Sequence, residues 1–133
     1  MNPKFWGPHG WYFLHSVTMN YPKNPSDKDK QIYFNFFKSL EKVLPCEKCA
    51  YHYSQNLKKH SLEEALESRD KFVKWLINVH NEVNIQTGKR EYTYDEVIQE
   101  YTKKMNNLDK DQTFIYKLII VLLMIFIIYK FYQ

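Results

Sequence analysis

Residues 26–52 read SDKDKQIYFNFFKSLEKVLPCEKCAYH, and this stretch decides the fold class. Ser26 or Asp27 can cap a helix, because a short side-chain oxygen there accepts one of the backbone N–H groups that a first turn leaves unpaired. Ile32, Phe36, Leu40 and Val43 then recur at the spacing of one helical face, which Tyr33, Phe37 and Leu44 widen. Pro45 cannot continue that helix, yet it suits the first turn of a new one carrying Cys46 and Cys49.

Working outward, Pro22 and Pro25 make the stretch from Tyr21 to Ser26 a loop. Before it, Gly7-Pro8 opens a segment whose Trp11, Leu14, Val17 and Tyr21 fall at helical spacing. After it, Ser61-Leu-Glu-Glu64 is a capping box for a short helix. Asp70 begins a longer helix through Phe72, Trp75, Leu76, Val79, His80 and Val83, which Gly88 stops. A last short helix runs from Asp95 to Lys104, with Val97, Ile98 and Tyr101 apolar, and Asn106 to Gln112 reads as a polar hinge. The reading is all-α, with a domain over 1–105, the hinge over 106–112 and a separate apolar tail over 113–132.

That tail sets the chain apart from an ordinary soluble protein. Leu118 to Tyr129 is an unbroken apolar or aromatic run, and Phe114–Tyr132 is interrupted only by Lys117 and Lys130. About twenty residues of helix cross a bilayer core. Both lysines can snorkel to the interfaces, where Tyr116, Tyr129, Phe131 and Tyr132 would also sit. A helix apolar on every side has no place inside so small a domain, so the tail is expected to be a C-terminal transmembrane anchor. Lys103, Lys104, Lys110 and Lys117 precede the span and only Lys130 lies near its far end, which points residues 1–112 toward the cytosol. No signal peptide is visible at the N-terminus.

Charge and composition exclude other classes. Residues 1–112 hold 17 of the 19 basic residues and all 15 acids, interspersed, which is too balanced for a nucleic-acid surface. Aromatic residues make up 17% of the chain, far above what disordered segments carry. Two cysteines cannot build the disulfide framework of a secreted mini-protein.

The Cys46-Glu-Lys-Cys49 pair is therefore redox chemistry, half a metal site, or two buried thiols. At a helix start, free N–H groups and the helix dipole stabilise a thiolate, and the spacing lets the sulfurs bond across one turn. A zinc site from Cys46, Cys49, His52 and His60 matches no common ligand spacing and has poor tetrahedral geometry on one helix; no metal is expected. Thioredoxin-like chemistry needs strands, which are missing, so a helical dithiol needs another electron acceptor. Trp11 and His15 share one helix face, as do His80 and Asn84, while Tyr51, His52 and Tyr53 follow the cysteines. Each is more often packing than a ligand; together they set flat rings and amides beside a dithiol. A non-enzymatic tail-anchored adaptor with a zinc or structural C-x-x-C stays open on these residues alone.

Three motifs in order, Trp6-Gly-Pro-His-Gly-Trp11-Tyr-Phe-Leu-His15, Leu44-Pro-Cys46-Glu-Lys-Cys49-Ala-Tyr-His52 and Trp75-Leu-Ile-Asn-Val-His80-Asn81-Glu-Val83-Asn84 with Lys89, resemble the Erv/ALR family of FAD-linked sulfhydryl oxidases. The resemblance covers roughly residues 4–103. It implies a four-helix bundle with a short fifth helix, holding FAD beside the dithiol. It implies Cys49 as the flavin-proximal sulfur and Cys46 as the one exchanging with substrate. Gly7, Trp11, His15 and His52 match flavin-site positions. His80, Asn81, Val83 and Asn84 match adenine and ribose positions, Lys89 a phosphate contact, and Tyr92 and Tyr101 family aromatics.

The departures carry meaning. Many members have a structural disulfide between cysteines at the positions of Ile77 and Tyr94; here both are absent together, which leaves packing and FAD to hold the last helix. Many also have a shuttle disulfide, which two cysteines cannot supply. The chain thus resembles short single-motif members from large cytoplasmic DNA viruses. The resemblance implies electron transfer to oxygen with release of hydrogen peroxide, and a separate small dithiol protein passing oxidising equivalents to further protein thiols. It also implies a site on the virion membrane and in host cytoplasm. A homodimer through the first helices is compatible with the aromatic excess.

Overall fold

The computed structural model describes residues 1–132, and the side chains of all of these except 108–112. Among the described residues six helices follow one another: α1 (Pro3–Met19), α2 (Asp27–Val43), α3 (Glu47–Lys59), α4 (Leu62–Ala65), α5 (Arg69–Gln86) and α6 (Tyr94–Phe131). There is no strand among the described residues. The chain divides into two compact units, Met1–Tyr94 and Asp95–Gln133.

In the first unit α1, α3 and α4 all pack on α5, and α2 packs on α3 and α4. The core is aromatic: Phe37 and Phe72 are fully buried and meet edge to face at 4.9 Å, with Trp75 at 5.5 Å from Phe37. Such pairs add about 0.5–1.5 kcal/mol beyond area burial. Two tyrosine hydroxyls inside this core find backbone acceptors. The Tyr21 hydroxyl donates to the Leu66 carbonyl at 2.9 Å and the Tyr53 hydroxyl to the Phe37 carbonyl at 3.0 Å, tying α3 to α2.

Local chemistry sets the helix ends. Ser26 is the α2 cap: its Oγ accepts from the Asp29 N–H at 3.2 Å, while the Ser26 N–H donates to the Asp29 carboxylate at 2.9 Å. The Ser26 hydroxyl, donating to the same carboxylate at 2.6 Å, and then the Ser26 N–H hold the Asp29 carboxyl below its ordinary range. Ser61 caps α4 by accepting from the Glu64 N–H at 3.2 Å, and Ser68 caps α5. Gly88 closes the turn after α5 with φ +71°, where a side chain would be strained.

Three details differ from the sequence reading. First, α1 starts at Pro3 under an Asn2 cap, so Gly7 and Pro8 lie inside it. Pro3 fits the first turn for the reason Pro45 was expected to fit, and Pro8 removes only one hydrogen bond, to Lys4. Second, the core face of α2 is the Tyr33, Phe37, Leu40 and Leu44 stripe, whereas Ile32, Phe36 and Val43 are 53%, 36% and 64% exposed. The helix has two apolar stripes and packing buries one. Third, the segment 106–112 is helical backbone inside α6. It contains neither Gly nor Pro, so polarity alone does not interrupt the ladder; the side chains of this expected hinge from 108 onward, Lys110 included, lie outside the described residues.

The second unit is helical through Phe131. Thr113–Phe131 has a mean hydropathy of 2.4 over 19 residues and none of it is buried, so it is long and apolar enough to cross a bilayer. Tyr101 sits in this unit, with the Lys104 ammonium 5.6 Å from its ring centre.

Candidate functional site

Cys46 occupies the N-cap of α3, so Pro45 stands before the cap and not in the first turn as expected, and Leu44-Pro45 turns the chain out of α2. Its sulfur accepts the Cys49 N–H at 3.2 Å, and the two cysteines are joined as a disulfide with their Cα atoms 5.1 Å apart. Both are half-buried. When the bond opens, a thiolate forms at the positive end of a three-turn helix, whose unpaired N–H groups stabilise it. His52, one turn on, is half-buried with its ring 6.0 Å from Tyr51.

The second half of the site joins α1 to α5. Trp11 stacks on His80, rings 3.9 Å apart and 6° from parallel. His15 lies one turn along α1, and its Nε2 is 3.0 Å from Nδ1 of His80, so one imidazole donates and the other accepts. His15 is 1% exposed. Burial, with the nearby His80 adding to it, lowers its pKa to about 3, and it is neutral at any physiological pH.

Beyond His80, α5 carries a run of amides. Asn84 is buried, and its Nδ2 reaches the Asn81 Oδ1 at 3.4 Å. Asn81 pairs with the backbone of Tyr92, donating to its carbonyl at 2.8 Å and accepting its N–H at 3.0 Å. The Lys89 N–H donates to the Asn84 carbonyl at 2.8 Å, and the Val83 carbonyl accepts from the Thr87 hydroxyl at 2.8 Å. Where many relatives are implied to hold a disulfide, Ile77 is buried and Tyr94 lies under Lys74, whose ammonium is 5.3 Å from the ring and 2.7 Å from Asp70.

Among the sequence-predicted residues, Trp11, His15 and His80 thus meet directly, and Asn81, Asn84, Lys89 and Tyr92 form one connected group. Gly7 faces open space, with no atom within 4 Å of where a side chain would begin. Tyr101 belongs to the other unit. Three features escaped the sequence reading. The Trp6 Nε1 is buried with no hydrogen-bond partner among the described residues. Arg90 lies over the Tyr92 ring at 4.0 Å. Asn56 is wholly buried with its amide unpartnered among the described residues. The adjacent Lys89-Arg90 pair was a signal for the second, and the two-turn offset of Asn56 from Cys49 for the third.

Together these define a helical dithiol domain with a flat aromatic and imidazole wall and a basic loop. The chain belongs to the Erv1/Alr family, which it matches over residues 8–103. It is 46% identical over 106 residues to a probable FAD-linked sulfhydryl oxidase of Acanthamoeba polyphaga mimivirus, covering 79% of this chain and 74% of the relative. A putative FAD-linked sulfhydryl oxidase of Invertebrate iridescent virus 3 is 32% identical over 101 residues, 76% of this chain and 68% of the relative. The crystal structure of the FAD binding domain of Erv1 from Saccharomyces cerevisiae superposes with a TM-score of 0.66 at 28% identity, over 70% of this chain and 87% of that one. The chain spans less than half the length of the cellular relatives from Arabidopsis thaliana and Schizosaccharomyces pombe.

Proposed function

We propose that this chain is an FAD-dependent thiol oxidase that forms disulfides in protein substrates. The observation that carries the reading is the half-buried Cys46–Cys49 disulfide at the start of α3, in a chain of the Erv1/Alr family. The residues present fit FAD by their chemistry. Trp11 and His80 offer a flat stacking face on the outside of their pair, since their 3.9 Å separation leaves no room between them. The unpartnered Trp6 Nε1 is a donor for a ring heteroatom or carbonyl, Gly7 leaves space, and Lys89 brings charge to the diphosphate. His15 and His52 serve the flavin end, and His80, Asn81, Val83, Asn84, Lys89 and Tyr92 the nucleotide end.

In the proposed reaction a substrate thiolate attacks Cys46 Sγ, forming a mixed disulfide and releasing Cys49 as a thiolate held by the α3 N-terminus. The substrate's second thiolate then attacks its own sulfur in the mixed disulfide, leaving as an oxidised disulfide, and Cys46 departs reduced. Two electrons now rest on the Cys46/Cys49 pair. Bound FAD supplies the two-electron acceptor and the path to oxygen, with hydrogen peroxide as product. Cys49 would be the sulfur that passes electrons to that acceptor, and re-formation of its bond to Cys46 completes the cycle.

The rest of the reading follows from what the chain has and lacks. With no further cysteine to shuttle electrons, a separate small dithiol protein relays them from downstream protein thiols. The Thr113–Phe131 helix anchors the enzyme in a membrane, with the catalytic domain on the cytosolic face and in virions. The exposed Phe13 and Phe36 rings, edge to face at 6.3 Å, with Ile32 and Val43 on the same α2 stripe, are the surface for a homodimer. Oxygen uptake with dithiothreitol tests the activity. The enzyme reading requires uptake by the native chain and none by Cys49→Ser; equal rates in both would refute it.

A further inference from the structure

Asn81 stands among the nucleotide-end residues, yet its amide is committed to the protein. Nδ2 donates to the Tyr92 carbonyl at 2.8 Å, and Oδ1 accepts both the Tyr92 N–H at 3.0 Å and Asn84 Nδ2 at 3.4 Å. The side chain thus pairs with residue 92 as a neighbouring strand would, using one Nδ2–H and the Oδ1 on one backbone unit. The intervening chain is fixed from its other end too. Thr87 bonds back to Val83, Gly88 takes the left-handed turn, and the Lys89 N–H is held by the Asn84 carbonyl. Within this loop Arg90, next to Lys89 in the chain, sits over the Tyr92 ring at 4.0 Å, and its guanidinium donates to the Glu91 carbonyl at 3.3 Å.

We propose that Asn81 is a positioning residue that fastens residues 88–92 onto α5, and that Arg90, parked on Tyr92 by this clasp, joins Lys89 in binding a diphosphate. This rests on the FAD reading and refines it. A loop already ordered before binding does not lose that freedom when the ligand arrives, and two cations held in place meet an anion without reorganising. Arginine suits the task, since its planar fork matches phosphate oxygens while its face stays on the ring. The clasp is made of hydrogen bonds, so thiol reductants leave it closed.

The test uses the full chain in mild detergent. Hydrogen exchange follows residues 88–93, and quenching of flavin fluorescence measures affinity for FAD and for riboflavin, which lacks the diphosphate. Asn81→Ala is expected to speed exchange at 88–93 and weaken FAD about tenfold, leaving riboflavin unchanged. Asn81→Asp keeps the acceptor for the Tyr92 N–H and should fall between. Arg90→Ala should weaken FAD, flatten its salt dependence and leave exchange as it was. Asn78→Ala, on the exposed face of α5, should change neither. Native FAD affinity in Asn81→Ala, or weakened FAD with Tyr92 still protected, overturns the clasp alone. A native chain that takes up neither flavin overturns the FAD reading along with it.

Discussion

Asn56 is fully buried on α3, and among the described residues neither its Oδ1 nor its Nδ2 has a hydrogen-bond partner. A buried amide left unpaired costs about 1–3 kcal/mol, because folding strips its water and returns nothing. Leucine has nearly the same volume and no polar atoms. Asn56→Leu should therefore stabilise the domain by about 2 kcal/mol, which for a domain of this size is a rise of about 10 °C in Tm. Tyr53, one turn earlier on the same helix, provides the opposite case. Its hydroxyl is paired with the Phe37 carbonyl, and burial keeps the phenol protonated far above its ordinary range. Tyr53→Phe should cost about 1 kcal/mol. Urea unfolding of the full chain in detergent, followed by the fluorescence of buried Trp75, measures both. Equal unfolding slopes are needed for the comparison. If Asn56→Leu lowers stability by 1 kcal/mol or more, the amide is satisfied in the folded protein and the reasoning fails.

Other perturbations test the site and the tail. His15 is neutral in the fold with a pKa of about 3, against 6.5 for the ordinary group, so only the unfolded chain takes up its proton between these values. Stability should fall as pH drops below 6.5, by about 1.4 kcal/mol per unit, and level off near 3. His15→Gln should remove that slope, and an unchanged slope would show that His15 is not its source. Cys49→Ser should abolish turnover while trapping substrate on Cys46 as a mixed disulfide, whereas trapping on Cys49 in Cys46→Ser instead would reverse the assigned roles. Removing residues 113–133 should move the protein from the membrane to the soluble fraction of cells, and continued sedimentation would refute the anchor.

The helices were legible because their signals are local. Ser26, Pro45, Ser61 and Gly88 each act on the backbone within a turn, so the sequence places α2 to α5 within a few residues. What sequence could not supply was the choice between equals. Ile32, Phe36 and Val43 make as good an apolar stripe as Tyr33, Phe37 and Leu40, and only the position of α3 and α4 decides which is buried. The cysteine pair was legible for the same local reason as the caps. The Trp11–His80 stack and the His15–His80 bond join residues far apart in the chain, and no periodicity relates them. Motif resemblance named these residues without their contacts. It named Asn81 as a ligand contact too, and gave no sign that its amide pairs with the Tyr92 backbone.

The central claim is that the Cys46–Cys49 pair delivers electrons to a flavin held in the same domain. The direct measurement is the visible absorption spectrum of the purified full chain during an anaerobic titration with dithiothreitol. The account requires a yellow protein whose flavin band bleaches after the disulfide is reduced and returns when air is admitted, with Cys49→Ser keeping its colour under the same titration. A colourless protein, or a flavin that stays oxidised while both cysteines are reduced, would contradict it.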